Sequence, residues 1–194
     1  MPAYFRAMSR TFDGSSEMTT AARTPTPQRI MVWDPLVRVF HWALVLGFAL
    51  NYAEIGPHRY IGYTLVGLIG LRILWGLVGP WSVRWTSFWP TPARLKAAIR
   101  GHAAEGGRIT HTPLGALMMI SLLALLLGLG TTGMLMVHTE RFHDLHWMEE
   151  LHEGLATAVL CLVPVHVLGA VLEGRKQGDN LIAAMVHGRR RPQP

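Results

Sequence analysis

The chain has 194 residues, half of them hydrophobic, with 18 Lys and Arg against 12 Asp and Glu and a formal net charge of +6. That length suits one soluble domain, but the apolar residues gather into four long runs, which argues instead for a membrane protein. The single cysteine, Cys161, excludes an intrachain disulfide and a Cys-rich zinc or iron–sulfur centre, and the lack of C-x-x-C-H excludes covalently attached haem c.

Residues 1–29 are polar, basic and rich in Ser, Thr and Pro, with no apolar core of a signal peptide, and read as a disordered cytoplasmic tail. Spans are predicted at about 38–55, 60–79, 113–137 and 151–172, since about 20 residues at 1.5 Å each cross a hydrocarbon core of about 30 Å. The third run, PLGALMMISLLALLLGLGTTGMLMV, is the clearest. The first is short and carries Asn51 and Glu54 near its end, and its three neighbours make it a fourth span. Between spans two and three, Trp81, Trp85 and Trp89 recur every four residues, and Thr91 and Pro92 form an N-cap and first-turn proline. Indoles favour the membrane interface, so 81–100 reads as an interfacial segment. Cys161 reads as a small core residue in span four. Residues 189–194 form a closing basic tail, leaving 30–188 as the folded domain.

Charge sets the orientation. Arg6, Arg10, Arg23, Arg29 and Arg38 precede span one; Arg84, Arg94, Lys96, Arg100 and Arg108 lie between spans two and three; Arg175, Lys176, Arg189, Arg190 and Arg191 follow span four. The other two connections hold Arg59 and Arg141 alone. The expected fold is an all-α, four-helix, up-down-up-down transmembrane bundle with both termini cytoplasmic. The net positive charge is then explained without nucleic acid as a partner.

Of ten histidines, His41, His58, His152 and His166 sit on spans or at their mouths, where ionisable groups are expensive and mark function. Taken singly, each is equally well a hydrogen-bonded core residue. On span four, His152 and His166 project within about 40° of one another but lie about 21 Å apart along the axis. They therefore serve two sites. The topology puts His41 and His166 towards the cytoplasm and His58 and His152 towards the outer face. Two histidine pairs at two depths in a four-helix bundle suit two b-type haems, with neutral imidazoles as axial ligands of iron. Gly47, Gly62, Gly154 and Gly169 allow close helix approach near these positions. Arg72, as far along span two from His58 as His166 is from His152, either meets a haem propionate or snorkels to the interface. His143 and His146 are alternative outer ligands, but His146 lies about 30 Å from His166 in an unbroken helix, nearly the whole membrane thickness.

The stretches WDPLVRVFHW, HRYIGY, LRILWGLVG, HTPLG, LHEGLA, PVHVLGAVLE and GDNLIAAMVHGRRR occur in order across about 33–188. In these the chain resembles bacterial di-haem cytochrome b subunits of the Ni/Fe-hydrogenase and formate-dehydrogenase type. The resemblance implies that His41, His58, His152 and His166 are axial haem b ligands. It also implies a quinone site around His111, Pro113 and His166, where such subunits usually carry Asn in place of Thr112. The outer connections look shorter than in hydrogenase subunits.

The function expected is electron transfer across the bacterial inner membrane between the quinone pool and a periplasmic redox partner, a c-type cytochrome or an oxidoreductase subunit. His111 is the candidate proton relay at the quinone, against a simply solvated loop histidine. Glu140, Asp144, Glu149 and Glu150 in the outer loop offer a face to a basic c-type cytochrome, against mere solvation of the span mouth. The alternative is a stand-alone quinone oxidoreductase acting on a small molecule such as superoxide at the outer haem. A divalent-metal entry site at His138, His143, His146 and His152 lacks a continuing polar path through the spans, and a purely structural membrane anchor leaves the four matched histidines unexplained.

Overall fold

The computed structural model describes residues 30–31, 34–80, 83–100 and 112–190. Four helices within it are long and apolar enough to cross a membrane: α1 (Pro35–Tyr52), α2 (His58–Val78), α5 (Pro113–His138) and α6 (His146–Lys176). Short helices α3 (Trp85–Phe88) and α4 (Pro92–Ile99) link α2 to α5, and α7 (Leu181–His187) follows α6. A two-residue strand β1 (Ile30–Met31) pairs antiparallel with β2 (Arg189–Arg190).

Helix starts follow local chemistry. The Asp34 carboxylate accepts from the Leu36 and Val37 amides, at 2.8 and 3.4 Å, ahead of Pro35 in the first turn. Thr91 caps α4 and Thr112 caps α5 in the same manner, each followed by proline. Such caps satisfy amides that a helix leaves without partners. Between α1 and α2 the chain turns in five residues, with Glu54 and Gly56 at positive φ (56° and 92°).

The most extended helix relative to expectation is α6, which starts five residues before the predicted span and ends four after it. Its 31 residues reach about 46 Å, well beyond a hydrocarbon core of about 30 Å. Hydropathy marks only the crossing portion. His146, Glu149 and Glu150 at one end and Glu173, Arg175 and Lys176 at the other are helical but lie at the aqueous margins.

Around the bundle, α1 packs on α2, α2 on α5, and α5 most extensively on α6. Few of the described side chains are fully buried. Ile69 of α2 and Val159 of α6 are among them, while large apolar residues such as Leu46, Leu71, Leu77, Val165 and Leu168 point outwards. On a soluble protein that surface would aggregate; on a bilayer-spanning bundle it is the lipid face. Cys161 is exposed on it, not in the core as its sequence setting suggests. A helix apolar on every side carries no periodic signal to show which face turns inward.

The basic end of the bundle is tied together. The Arg38 guanidinium donates to the Met185 carbonyl at 3.2 Å and to the Val186 carbonyl, closing the last turn of α7. The Trp42 indole also donates to Met185 O, at 3.4 Å. Arg190 is buried and meets Asp179 at 3.4 Å and the Gln177 side chain. Arg189 and Arg190, the start of the expected basic tail, are thus strand residues held into the fold.

Trp85 departs from the surface stripe that its spacing suggests; Trp81 lies outside the described residues, and Trp89 is exposed. The Trp85 indole donates to Ile73 O at 3.2 Å, and its ring fills the space that a Cβ on Gly76 would occupy. The Arg72 guanidinium lies 4.6 Å from the ring centroid. Close approach to α2 is possible only because residue 76 is glycine. Gly76→Leu should therefore cost about 1–3 kcal/mol by overpacking. Gly70→Ala, with no atom within 4 Å of the added methyl, should stay within about 0.5 kcal/mol. Thermal unfolding of the detergent-purified variants, followed by circular dichroism, separates the two.

Candidate functional site

Each of the four span histidines meets its expected partner. His41, in the second turn of α1, faces His166 near the basic end of α6, with ring centroids 6.4 Å apart and planes at 60°. His58, the first residue of α2, faces His152 at the opposite end of α6, at 6.2 Å and 62°. The two pairs thus share one helix, at two levels about 21 Å apart along it.

The other histidines at the His58–His152 end of the bundle go elsewhere. His146 sits 3.3 Å from Glu150 and 3.8 Å from Glu149, and His143 sits 3.8 Å from Asp144, all strongly exposed. His138 accepts from or donates to the Tyr63 hydroxyl at 2.7 Å, and Arg59 Nε donates to the same hydroxyl at 3.1 Å. Among the described residues, no three His, Cys, Asp or Glu side chains converge as a site for a bare metal ion. His111 lies outside the described residues.

Spacing decides what the pairs can hold. Two imidazoles on opposite sides of one metal, with bonds of about 2 Å and about 1.1 Å from each nitrogen to its ring centre, put the centroids about 6.2 Å apart. Both observed separations agree with that value, and rotation about the shared axis leaves the angle between the planes free. A four-coordinate zinc site needs more ligands than two. A b-type haem would need only two such donors from the protein, which each pair would supply.

The helix packing fits a flat group as well. Over the described residues the backbones of α1 and α2 hardly approach that of α6, although each packs on its other neighbour. Imidazole rings bridge the gap instead. Gly133 stands where an added Cβ would lie 3.2 Å from His152 Cε1, so glycine there admits the ring. Gly47 packs against Leu65 and Gly62 lies near Asn51, whereas Gly154 and Gly169 meet nothing within 4 Å.

Arg72 is buried, with 6% of its surface exposed, so it does not snorkel to water. Trp85 covers one face of the guanidinium, yet Nη1 finds no hydrogen-bond partner among the described residues. Asp34, the acid that acts on it electrostatically, is already committed to capping α1. Because α2 and α6 run in the same direction from His58 and His152, Arg72 stands at the depth of His166. A buried cation with a free donor at that depth calls for an anion.

Sequence reasoning missed the support behind His152. The Thr132 hydroxyl of α5 lies 2.8 Å from His152 Nδ1, and 2.9 and 3.1 Å from the Leu129 and Gly128 carbonyls. Thr131, its neighbour, bonds among the described residues only back to Leu127 O at 2.7 Å. The two threonines look alike in the sequence, and only the packing of α5 on α6 tells them apart.

A family model described as prokaryotic cytochrome b561 matches residues 32–188. Comparison with curated proteins and with solved structures returned no match. The matched stretch spans most of the chain and all four apolar helices, and the chain belongs to the prokaryotic cytochrome b561 family. It is a multi-pass membrane protein of the haem b electron-transfer class.

The pairing has a direct consequence for variants. On the reading that each pair holds one b-type haem, His41→Ala and His166→Ala should each remove the same haem, and His58→Ala and His152→Ala the other. The His41→Ala/His166→Ala double variant should then lose no more haem than either single change. Pyridine haemochrome quantification on purified variants, with protein measured independently, gives the count.

Proposed function

We propose that this member of the prokaryotic cytochrome b561 family is a di-haem electron conduit of the bacterial inner membrane, working between the quinone pool and a periplasmic redox partner. The observation that carries the reading is the two histidine pairs, each with ring centres at about the distance that two imidazoles on one metal would take, and at two levels of one helix. His41 and His166 would hold the haem nearer the cytoplasm, and His58 and His152 the haem nearer the periplasm. Haem b supplies reversible one-electron chemistry at its iron.

The chain's own residues do the rest. The outward apolar surfaces of the bundle keep lipid around it, and residues such as Ile69 and Val159 exclude water from its interior. Arg72 brings a positive charge to the depth of the inner pair, where it would pair with a haem propionate and favour an electron arriving there. The clasp of Arg38 and Trp42 onto α7 fixes the turn of α1 that carries His41, since the two residues stand three before and one after it.

A quinone site near the inner haem rests on the resemblance to di-haem cytochrome b subunits. Thr112, where those subunits usually carry Asn, caps α5 through its hydroxyl, bonded to the Gly115 amide at 3.3 Å. Thr and Asn are both good N-caps, so the exchange leaves the helix start intact. His111 is the candidate proton relay beside it.

At the outer face, Glu140, Asp144, Glu149 and Glu150 are exposed, and Arg59 and Arg141 are the cations nearby. That balance suits a basic docking face on a c-type cytochrome. The test is reconstitution in liposomes with a quinol analogue and a soluble basic c-type cytochrome. Quinol-dependent reduction of the cytochrome is expected, and it should slow several-fold near 1 M salt, where the screening length falls to about 3 Å. Failure of quinol to reduce the bound haem would overturn the quinone half of the proposal. A rate indifferent to salt would overturn the electrostatic docking.

A further inference from the structure

We infer that Thr132 is a positioning residue for the outer haem, fixing which nitrogen of His152 faces the iron and setting that haem's potential below what an unsupported ligand would give. The inference rests on the haem reading of the His58–His152 pair and goes beyond it, because no ligand assignment involves α5.

A hydroxyl has one proton to give, and three acceptors surround that of Thr132. Two are carbonyls, of Leu129 at 2.9 Å and Gly128 at 3.1 Å; the third is His152 Nδ1 at 2.8 Å. Carbonyls can only accept. With the hydroxyl proton turned to a carbonyl, the short contact to Nδ1 is closed by the imidazole N–H donating to Thr132 Oγ1. Nδ1 then carries the proton and Nε2 keeps the lone pair, which is the form a ligand needs. The opposite arrangement would place the proton on Nε2 and block ligation.

Burial makes the arrangement binding. Thr132 is 6% exposed, so water does not compete for its hydroxyl. Gly133, the next residue, admits the edge of the same ring, so two consecutive positions of α5 shape the seat of His152. The other three span histidines have no comparable hydrogen bond among the described residues: His41 and His166 meet in ring contact, as His58 meets His152. The two haem sites therefore differ in ligand support. A ligand whose outer N–H donates to an acceptor is more basic and favours the oxidised metal. Here the acceptor is polarised in turn by its own bond to a helix carbonyl.

The test uses the purified full-length protein with its haems bound. Thr132→Val keeps the shape and removes the hydroxyl; Thr132→Ser restores it. Potentiometric titration of the α band and low-temperature electron paramagnetic resonance read the two haems separately. Thr132→Val should move one of two potentials upwards, by about 59 mV for a tenfold change in the preference for oxidised iron. The other potential should stay in place, and Thr132→Ser should return the shifted one. Loss of one haem in Thr132→Val, restored in Thr132→Ser, supports the same role. Two haems with unchanged potentials in Thr132→Val would overturn the inference, as would a haem lost in Thr132→Val and not regained in Thr132→Ser. A wild-type protein without haem would instead remove the functional reading on which it rests.

Discussion

Two imidazoles projecting from one helix at two depths constrain most of this bundle. The step from His152 to His166 falls within about 40° of four turns, so α6 offers both rings from one side. Each ring needs a partner across a gap wide enough for a flat cofactor, and α1 and α2 each bring one. Because α1 enters from the basic end, its histidine near the start reaches the inner level. Because α2 starts at the other end, His58 reaches the outer level. The alternation of direction in a four-helix bundle thereby forms two histidine pairs from three helices, while α5 packs on α6.

Charge follows the same register. Arg72 stands as far from His58 as His166 does from His152, so the buried guanidinium and the inner histidine share a level. An arginine at that depth is costly unless it is paired, and Trp85 covers only one of its faces. The expense fits the proposed role of Arg72 as the partner of an anionic group. At the basic end, the hydrogen bonds from Arg38 and Trp42 hold α7 beside the turn of α1 that carries His41, and Arg190 pairs with Asp179 past the end of α6.

The four spans, the capped start of α4, and the pairing of histidines by depth are all readable without coordinates; the matching Thr112 cap of α5 is not among the features read from the sequence. Length and hydropathy report membrane crossing, the Thr91–Pro92 step reports a helix start, and direction of travel orders the ligands. Facing is not readable. Helices apolar all round have no periodic signal, which is why the sequence puts Cys161 inside and does not set Thr132 apart from Thr131. Trp85 is also out of reach, because its place depends on Gly76 meeting it across a turn. The pairing of Ile30–Met31 with Arg189–Arg190 joins segments too short to leave a strand pattern.

The central claim is that each histidine pair holds one haem. The most direct check is a dithionite-reduced minus oxidised spectrum of the detergent-purified wild-type chain, with haem quantified per polypeptide. The account predicts b-type bands at two haems per chain, titrating in two one-electron steps. A single haem per chain would contradict the two-site geometry, and a colourless protein would contradict the electron-transfer reading itself.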